Sequence, residues 1–394
     1  MSEIFNLQKL YLAYFDCRNG KRKTVNALNF EWDLERNLFL LLNELKTKKY
    51  KPGRSICFAV KEPTPREIFA ATFRDRIVHH LLVREINDMG ERTFIFNAFS
   101  CRKGKGTHKA VKLLKQSIRR LSKNYSKEIY YAQMDISGFF MSIDHDILYQ
   151  LINKLICKKK KSAQWKEDIL WLTETVIFYR PTDNYLIKGD ISLFSLIPPR
   201  KSLFHSGEGK GLPIGNHSSQ FSANLYLNEL DQFVKRQLKC KHYFRYVDDF
   251  ILLEEDKKRL KIFKDRINNF LIEKLRIRLN DKKTKIQSVN KGIDFLGYFI
   301  KPDYVLVRRR VVAKLMSNLI ELNEKPCLFA DSLPVVASMV NSYFGHFRHA
   351  NSFNLRKSIY EDKLGKLKEK FALKPQYVSL ALKSCYTNLK SVII

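Results

Sequence analysis

The stretch Tyr243-Phe244-Arg245-Tyr246-Val247-Asp248-Asp249-Phe250-Ile251-Leu252-Leu253 joins two short apolar runs at a pair of adjacent carboxylates. Apolar runs of this length around a short polar break predict a β-hairpin whose turn brings both Asp side chains to one spot. Two uncompensated carboxylates in apolar surroundings repel each other and resist burial. A divalent cation removes both penalties, so the stretch predicts Mg²⁺, and Mg²⁺ held by a few carboxylates commonly works on phosphates. Alone, an Asp-Asp pair reads as a surface turn. Asp135 reverses that reading. It closes the strand-like run Ile129-Tyr130-Tyr131-Ala132-Gln133-Met134, and an Asp at a strand end with an Asp pair on a later hairpin gives a three-carboxylate site on a sheet.

The 394 residues carry 72 Lys and Arg against 40 Asp and Glu, a formal net charge of +32. Such an excess calls for a polyanionic partner, nucleic acid first and an anionic membrane surface second. Length and apolar content describe a globular protein of two or three subdomains. No apolar run reaches the 18 residues that would suggest a span, and Met1-Ser2-Glu3-Ile4-Phe5 does not read as a secretory signal. The seven Cys, at 17, 57, 101, 157, 240, 327 and 385, stand singly. They predict buried or inert thiols in a reducing cytoplasm, with neither a disulfide framework nor a zinc site.

Along the chain, residues 1–50 read as helical, with Leu38, Leu41, Leu42 and Leu45 on one face. Strands are expected at 55–61 and 67–70, helices at 75–88 and 107–122, and a basic loop at Lys103-Gly104-Lys105-Gly106. Residues 181–208, broken by Gly189, Pro198, Pro199 and Gly207, read as an insertion with little regular structure or a small hairpin. A long helix is expected over 216–236. An amphipathic one follows, with Leu260, Phe263, Ile267, Phe270 and Leu271 on one face. Ile293–Ile300 reads as a strand, and the chain beyond Pro302 as helical and basic. The Lys158–Lys161 run reads as a solvated helix end, and His79 and His80 as helix-packing residues.

Seven motifs now stand in order: Arg66 with Phe73–Val78; Cys101–His108; Asp135–Phe140; the Gly211–Gln220 loop; Tyr246–Asp249; Lys283-Thr284; and Phe295-Leu296-Gly297-Tyr298. Together they resemble the right-hand polymerase pattern of reverse transcriptases over about residues 50–350. The resemblance implies an α+β fold with fingers, a palm built on an antiparallel sheet, and a helical thumb. It divides the chain into an N-terminal helical region (1–50), fingers (51–128), a palm that includes part of the fingers and the 181–208 insertion (129–300), and a thumb with tail (301–394). Leu212-Pro213-Ile214-Gly215, Gly215–Gln220 and Asn341–Ser352 most resemble the enzymes of diversity-generating retroelements. Defence-associated and group II intron-like reverse transcriptases are related to these.

The resemblance assigns roles. Asp135, Asp248 and Asp249, with the Ile136 backbone, would hold two Mg²⁺ ions, for which Mn²⁺ could substitute. Phe140 would stack beneath the incoming sugar and exclude a 2′-hydroxyl; Phe139, expected on the opposite face, would be core. Arg66, with Lys61 as a weaker partner, would pair with the triphosphate. Ile214, Gly215 and Gln220 would stand beside the nascent pair, with Gly215 admitting close approach. Lys283 would act as a general acid toward the leaving pyrophosphate; Lys282 and Lys285 are hard to tell from it. Arg102, Lys105 and the primer-grip residues Phe295, Leu296, Gly297 and Tyr298 would meet primer and template. Arg74 and Arg76 fit template phosphates and pairing with Asp75 equally well.

The activity implied is RNA-directed DNA synthesis from dNTPs on a structured RNA, error-prone in a retroelement. The alternative is an antiphage enzyme that copies a noncoding RNA or makes untemplated DNA. A non-catalytic RNA-binding scaffold has no need for clustered carboxylates in a basic protein, and Phe140 argues against an RNA polymerase. The partners implied are the RNA template, a DNA primer or product, and an accessory protein, a second reverse transcriptase or further copies of the chain. No membrane partner is implied, and the setting is the bacterial cytoplasm.

Overall fold

A computed structural model describes residues 2–62, 64–324 and 332–383. It is a mixed α+β chain with two compact units. One comprises residues 1–106, 132–252 and 258–286; the other comprises 107–131, 253–257 and 287–394. The helix Thr107–Leu121 thus groups with the C-terminal residues.

In the first unit, helices Leu7–Arg18, Val25–Glu31 and Leu34–Lys46 fill the region read as helical. Strands β1 (Ser55–Val60) and β2 (Arg66–Ala70) form an antiparallel hairpin in the register Ile56↔Ala70 to Val60↔Arg66. The helix Phe73–Thr93 starts where Thr72 caps the Asp75 backbone N–H. Asp75 is buried and accepts from Tyr50 Oη at 2.8 Å, the Gly53 N–H at 2.9 Å and Thr72 Oγ1 at 2.6 Å. Arg74 pairs with Asp75 and Glu44, so its role is to fasten this helix start. The helix packs on Leu7–Arg18 and on His217–Gln232. His79 Nδ1 lies 2.7 Å from Ser218 Oγ, and the His80 ring stacks on His217.

A four-stranded sheet carries the Asp motifs. β3 (Tyr130–Met134) leads to Asp135, β5 (His242–Tyr246) and β6 (Asp249–Glu254) flank the Val247-Asp248 turn, and β7 is Lys285–Ser288. The strand order is β5-β6-β3-β7. The 181–208 segment has little regular structure, as expected, and forms no hairpin of its own. Its strand β4 (Tyr185–Ile187) runs parallel to β1 in the register Ser55↔Tyr185, followed by single turns at Ile191–Leu196, Pro199–Lys201 and Leu203–His205. Sequence periodicity cannot show a three-residue strand whose partner lies far upstream.

Under the Asp248-Asp249 hairpin lies an ion pair that the sequence did not reveal. Arg245 and Asp231 are 1% and 0% exposed. Arg245 Nε donates to Asp231 Oδ1 at 2.7 Å and Nη2 to Oδ2 at 2.6 Å, while Tyr243 Oη adds a 2.8 Å bond to the same carboxylate. The remaining donor, Nη1, reaches the Val247 carbonyl at 3.1 Å. Val247 has φ +55°, a costly conformation for a β-branched residue. Two-residue hairpin turns require positive φ at their first central position, and the guanidinium bond helps hold it there.

The second unit contains the helices Thr107–Leu121, Arg309–Glu324, Leu333–Phe347 and Phe353–Ser358. Its core includes Leu315, Leu319, Val340, Phe344, Phe347 and Phe371. The run read as one strand over 293–300 is instead a tight hairpin, β8 (Ile293–Phe295) and β9 (Tyr298–Ile300), in the register Phe295↔Tyr298. Leu296 and Gly297 both have positive φ, +51° and +86°, as a type I′ turn requires. The uninterrupted apolar pattern hid the reversal. β10 (Val305–Val307) extends this sheet, and β11 (Phe371–Leu373) pairs with β12 (Leu380–Leu382). In the stretch Asn341–Ser352, Asn341 brackets the Leu380 backbone and Asn351 Oδ1 accepts from the Val305 N–H at 2.9 Å.

Cys17, Cys57 and Cys240 are buried thiols as expected, while Cys101 and Cys157 are exposed. Cys327 and Cys385 lie outside the described residues. Among the described residues no helix is long and apolar enough to cross a membrane.

Breaking one partner of a buried ion pair leaves an uncompensated charge, costing about 3–5 kcal/mol. Asp231→Ala is therefore expected to lower the unfolding free energy by about that amount, read as a fall in urea midpoint at constant slope. A loss below about 1 kcal/mol would mean that Arg245 finds other compensation.

Candidate active site

The Asp motifs meet in a cleft of about 360 Å³ lined by Thr64, Arg66, Asp135, Ile136, Gly138, Phe139, Phe140, Arg200, Lys201, Ile214, Val247, Asp248, Asn280 and Lys283, among others. That size falls in the usual range for small-ligand sites, about 300–1,000 Å³. Asp135 is fixed from below. Its carbonyl accepts from the Asn280 N–H at 2.7 Å, and Ile136 bridges antiparallel to Leu279. Asp135 Oδ2 accepts from Asn280 Nδ2 at 3.2 Å, and Oδ1 from Lys283 Nζ at 2.8 Å. Lys282 and Lys285 are exposed. The ion pair to Asp135 is what distinguishes Lys283 from them.

Burial and the charge of Asp135 push the Asp248 pKa up to about 6. Burial, then Asp248 and Asp135, push Asp249 to about 7, although Gln133 Nε2 donates to it at 3.3 Å. These oxygen-only groups fit a hard dication, which would relieve the desolvation and mutual repulsion that raise both values. Among the described residues no three such groups converge closely enough to enclose an ion, and the Lys283 ammonium stands on Asp135.

Phe140 is half-buried against the cluster of Cys57, Phe69, Met141 and Leu203, with Ile214 beside it. Phe139 is buried, as expected, for a different reason. Residues Phe139–Ser142 form one helical turn, so the two rings diverge by a helical step and not by strand alternation. Arg66 opens β2 at the cleft wall, and its Nε is buried without a hydrogen-bond partner. An orphaned guanidinium nitrogen in such a place suits an anion.

Several expected site residues serve the scaffold. Arg102 is 6% exposed at its side chain and bonds Glu91 and the Ile95 and Ala98 carbonyls, so its donors are turned away from any template. Lys105 Nζ donates to the Phe96 carbonyl at 2.7 Å. Gly215, at φ +130°, is required by β2: a Cβ there would lie 3.0 Å from the Phe69 carbonyl oxygen. Phe69 N–H also donates to the Ile214 carbonyl at 2.9 Å. Lys61 and Gln220 are exposed and do not line the cleft. In the second unit, Phe295 and Tyr298 are fully buried, and Tyr298 Oη meets His108 Nδ1 at 3.0 Å and the His346 carbonyl at 2.9 Å. Leu296 and Gly297, at the hairpin tip, are half-buried.

The sequence reading passed over Asn280, Arg200 and Lys201. Burial, then the charges of Lys283 and Arg200, hold the Lys201 ammonium below the usual lysine range. Its only sequence signal was a basic dipeptide after Pro198-Pro199, in a segment read as an insertion.

Residues 59–300 match the family described as reverse transcriptase (RNA-dependent DNA polymerase). Protein YkfC of Escherichia coli strain K12 is 23% identical over 311 residues, covering 70% of this chain and 74% of that protein. Group II intron-encoded protein LtrA of Lactococcus lactis subsp. cremoris is 23% identical over 360 residues, covering 74% of this chain and 54% of LtrA. The solved apo telomerase of Candida tropicalis truncated from its C-terminal domain aligns at 14% identity and a TM-score of 0.46, over 68% of this chain and 59% of that one. The chain therefore spans little more than half of the intron protein and of the telomerase.

The raised carboxylates predict a pH signature for the metal-free protein. Their folded pKa values, about 6 and about 7, exceed the unfolded value, so the native state binds more protons. Their stabilising contribution is complete below about pH 4 and is lost as pH rises through 7. In chelator-treated samples, Asp248→Asn/Asp249→Asn should be more stable than wild type at pH 8, by up to about 7 kcal/mol. The gap should close toward pH 4 in thermal melts. A gap independent of pH would refute the assignment.

Proposed function

The chain belongs to the reverse transcriptase family, with its right-hand polymerase fold, and on that premise we propose that it synthesises DNA from dNTPs on a structured RNA template. The observation that carries this reading is the convergence of Asp135, Asp248, Phe140, Arg66 and Lys283 on one cleft. Members of this family use divalent metal ions. Asp135, Asp248 and Asp249, with the Ile136 backbone, would hold two Mg²⁺, which when bound activate the primer 3′-hydroxyl and offset charge on the triphosphate.

The remaining chemistry belongs to the chain. Arg66, at the cleft wall, would pair its guanidinium with the triphosphate and orient it. Phe140 supplies the floor beneath the sugar and clashes with a 2′-hydroxyl. Lys283 exchanges its bond to Asp135 for the leaving pyrophosphate and delivers a proton to it. The net charge of +32 supports retention of RNA independently of these groups.

The finer reading is mutagenic copying of RNA in a diversity-generating retroelement. Ile214 supports it: a β-branched apolar side chain at the cleft wall offers the nascent pair no hydrogen bond. Each such bond is worth about 1 kcal/mol, or several-fold in discrimination.

In primer extension on RNA, Asp248→Asn/Asp249→Asn should abolish dNTP addition while RNA binding in a filter assay persists. Phe140→Ala should lower the rNTP KM relative to dNTP. Substantial synthesis by the double Asn variant would sink the site assignment, and unchanged sugar discrimination would remove Phe140 as the gate.

Deep sequencing of cDNA should show frequent errors in wild type and fewer in Ile214→Gln. Accurate wild-type copying with no gain in the variant would favour the antiphage alternative.

A further inference from the structure

Arg200 and Lys201 line the same cleft as Asp135 and Asp248, yet the family motifs assign them nothing. Among the described residues neither side chain has a hydrogen-bond or ion-pair partner. Lys201 is half-buried. It is crowded by the like charges of Arg200 and Lys283, and the nearby Asp135 and Asp248 offset them only in part, since Lys283 already occupies Asp135 Oδ1. A partly desolvated lysine beside two other cations, with its nearby carboxylates offsetting them only in part, is unfavourable until an anion arrives.

The backbone that carries these two residues is fixed on both sides. The turn Pro199–Lys201 closes with the Lys201 N–H on the Pro198 carbonyl at 2.8 Å. Immediately after it, Glu67, 1% exposed on β2, accepts from Ser202 Oγ at 3.0 Å and from the Leu203 backbone N–H. Leu203 is buried with Cys57, Phe69 and Met141. On the other side Gly138, three residues past Asp135, has φ +55°, and a Cβ there would come 2.5 Å from the Arg200 carbonyl oxygen. A surface loop with idle cations would not be held by a buried carboxylate and a glycine contact. Because Glu67 adjoins Arg66 on β2, one strand supplies an anion-binding guanidinium and anchors the turn that brings the other two cations.

We propose that Arg200 and Lys201 complete the anion subsite of this cleft with Arg66, gripping the triphosphate of the incoming nucleotide, and that Glu67 is the positioning residue that holds them there. The proposal rests on the polymerase reading and adds residues to it. The segment once read as an insertion becomes a wall of the nucleotide site.

The test uses the full chain in single-nucleotide addition on a primed RNA, together with binding of a fluorescent dNTP and of the same nucleoside without phosphates. Lys201→Ala should raise the dNTP KM about tenfold or more, the worth of one charge-assisted hydrogen bond, with a much smaller change in kcat. Lys201→Arg should restore most of the affinity. Arg200→Ala, at an exposed position that does not threaten folding, should move KM in the same direction. Nucleoside binding should not change. Glu67→Gln should raise the KM, and Lys201→Ala should then add less in that background than in wild type. A dNTP KM within about twofold of wild type in Lys201→Ala and Arg200→Ala overturns the subsite, as does an equal loss of nucleoside binding. Additive effects of Glu67→Gln and Lys201→Ala overturn the positioning role. If wild type binds dNTP in a Lys201-dependent way but extends no primer, the polymerase reading fails and the anion subsite stands.

Discussion

The buried bidentate pair between Arg245 and Asp231 underlies the arrangement of the site. Its guanidinium spends two donors on the carboxylate and a third on the Val247 carbonyl. The backbone of the same Arg exchanges bonds with Asn97 and Phe99. One residue thereby holds the turn presenting Asp248 and the start of the loop in which Arg102 is locked. A buried ion pair is a poor source of net stability, because desolvation offsets much of the Coulomb gain. What it supplies here is directional: a β-branched residue is kept at φ +55° so that a two-residue hairpin can aim carboxylates into a cleft.

The cleft is electrostatically unbalanced in two ways at once. Asp248 and Asp249 are protonated more readily than ordinary carboxylates because burial and mutual repulsion oppose their charge. Lys201 is deprotonated more readily than an ordinary lysine because burial and neighbouring cations oppose its charge. Opposite charges that close would ordinarily neutralise one another, and Lys283 does so for Asp135. The rest are kept apart by a scaffold that fixes each to a different element: Asp248 to the hairpin, Arg66 to β2, and Lys201 to a turn pinned by Glu67. A magnesium nucleotide, the ligand proposed above, would bring to these groups both the cations and the polyanion that they leave uncompensated.

The local signals were legible in the sequence. Helical periodicity located most of the helices, the apolar runs located the Asp hairpin, and the order of motifs gave the family, because each depends on neighbours within a few residues. The cleft membership of Asp135, Asp248, Phe140, Arg66 and Lys283 followed from that order. What sequence could not determine was which of many similar residues has its polar atoms already spent. Arg102 and Arg66 look alike in the chain; one is consumed by Glu91 and two carbonyls, the other has a buried free Nε. Gly215 looks like a ligand-approach glycine but makes room for the Phe69 carbonyl. The break in the 293–300 run, the parallel pairing of β4 with β1 and the placement of Lys201 beside Asp135 all depend on partners distant in the chain. Sequence composition fixes which groups exist and how they are spaced locally, but long-range contacts decide which of them are desolvated, paired or left open, and so only the tertiary structure separates the site from its scaffold.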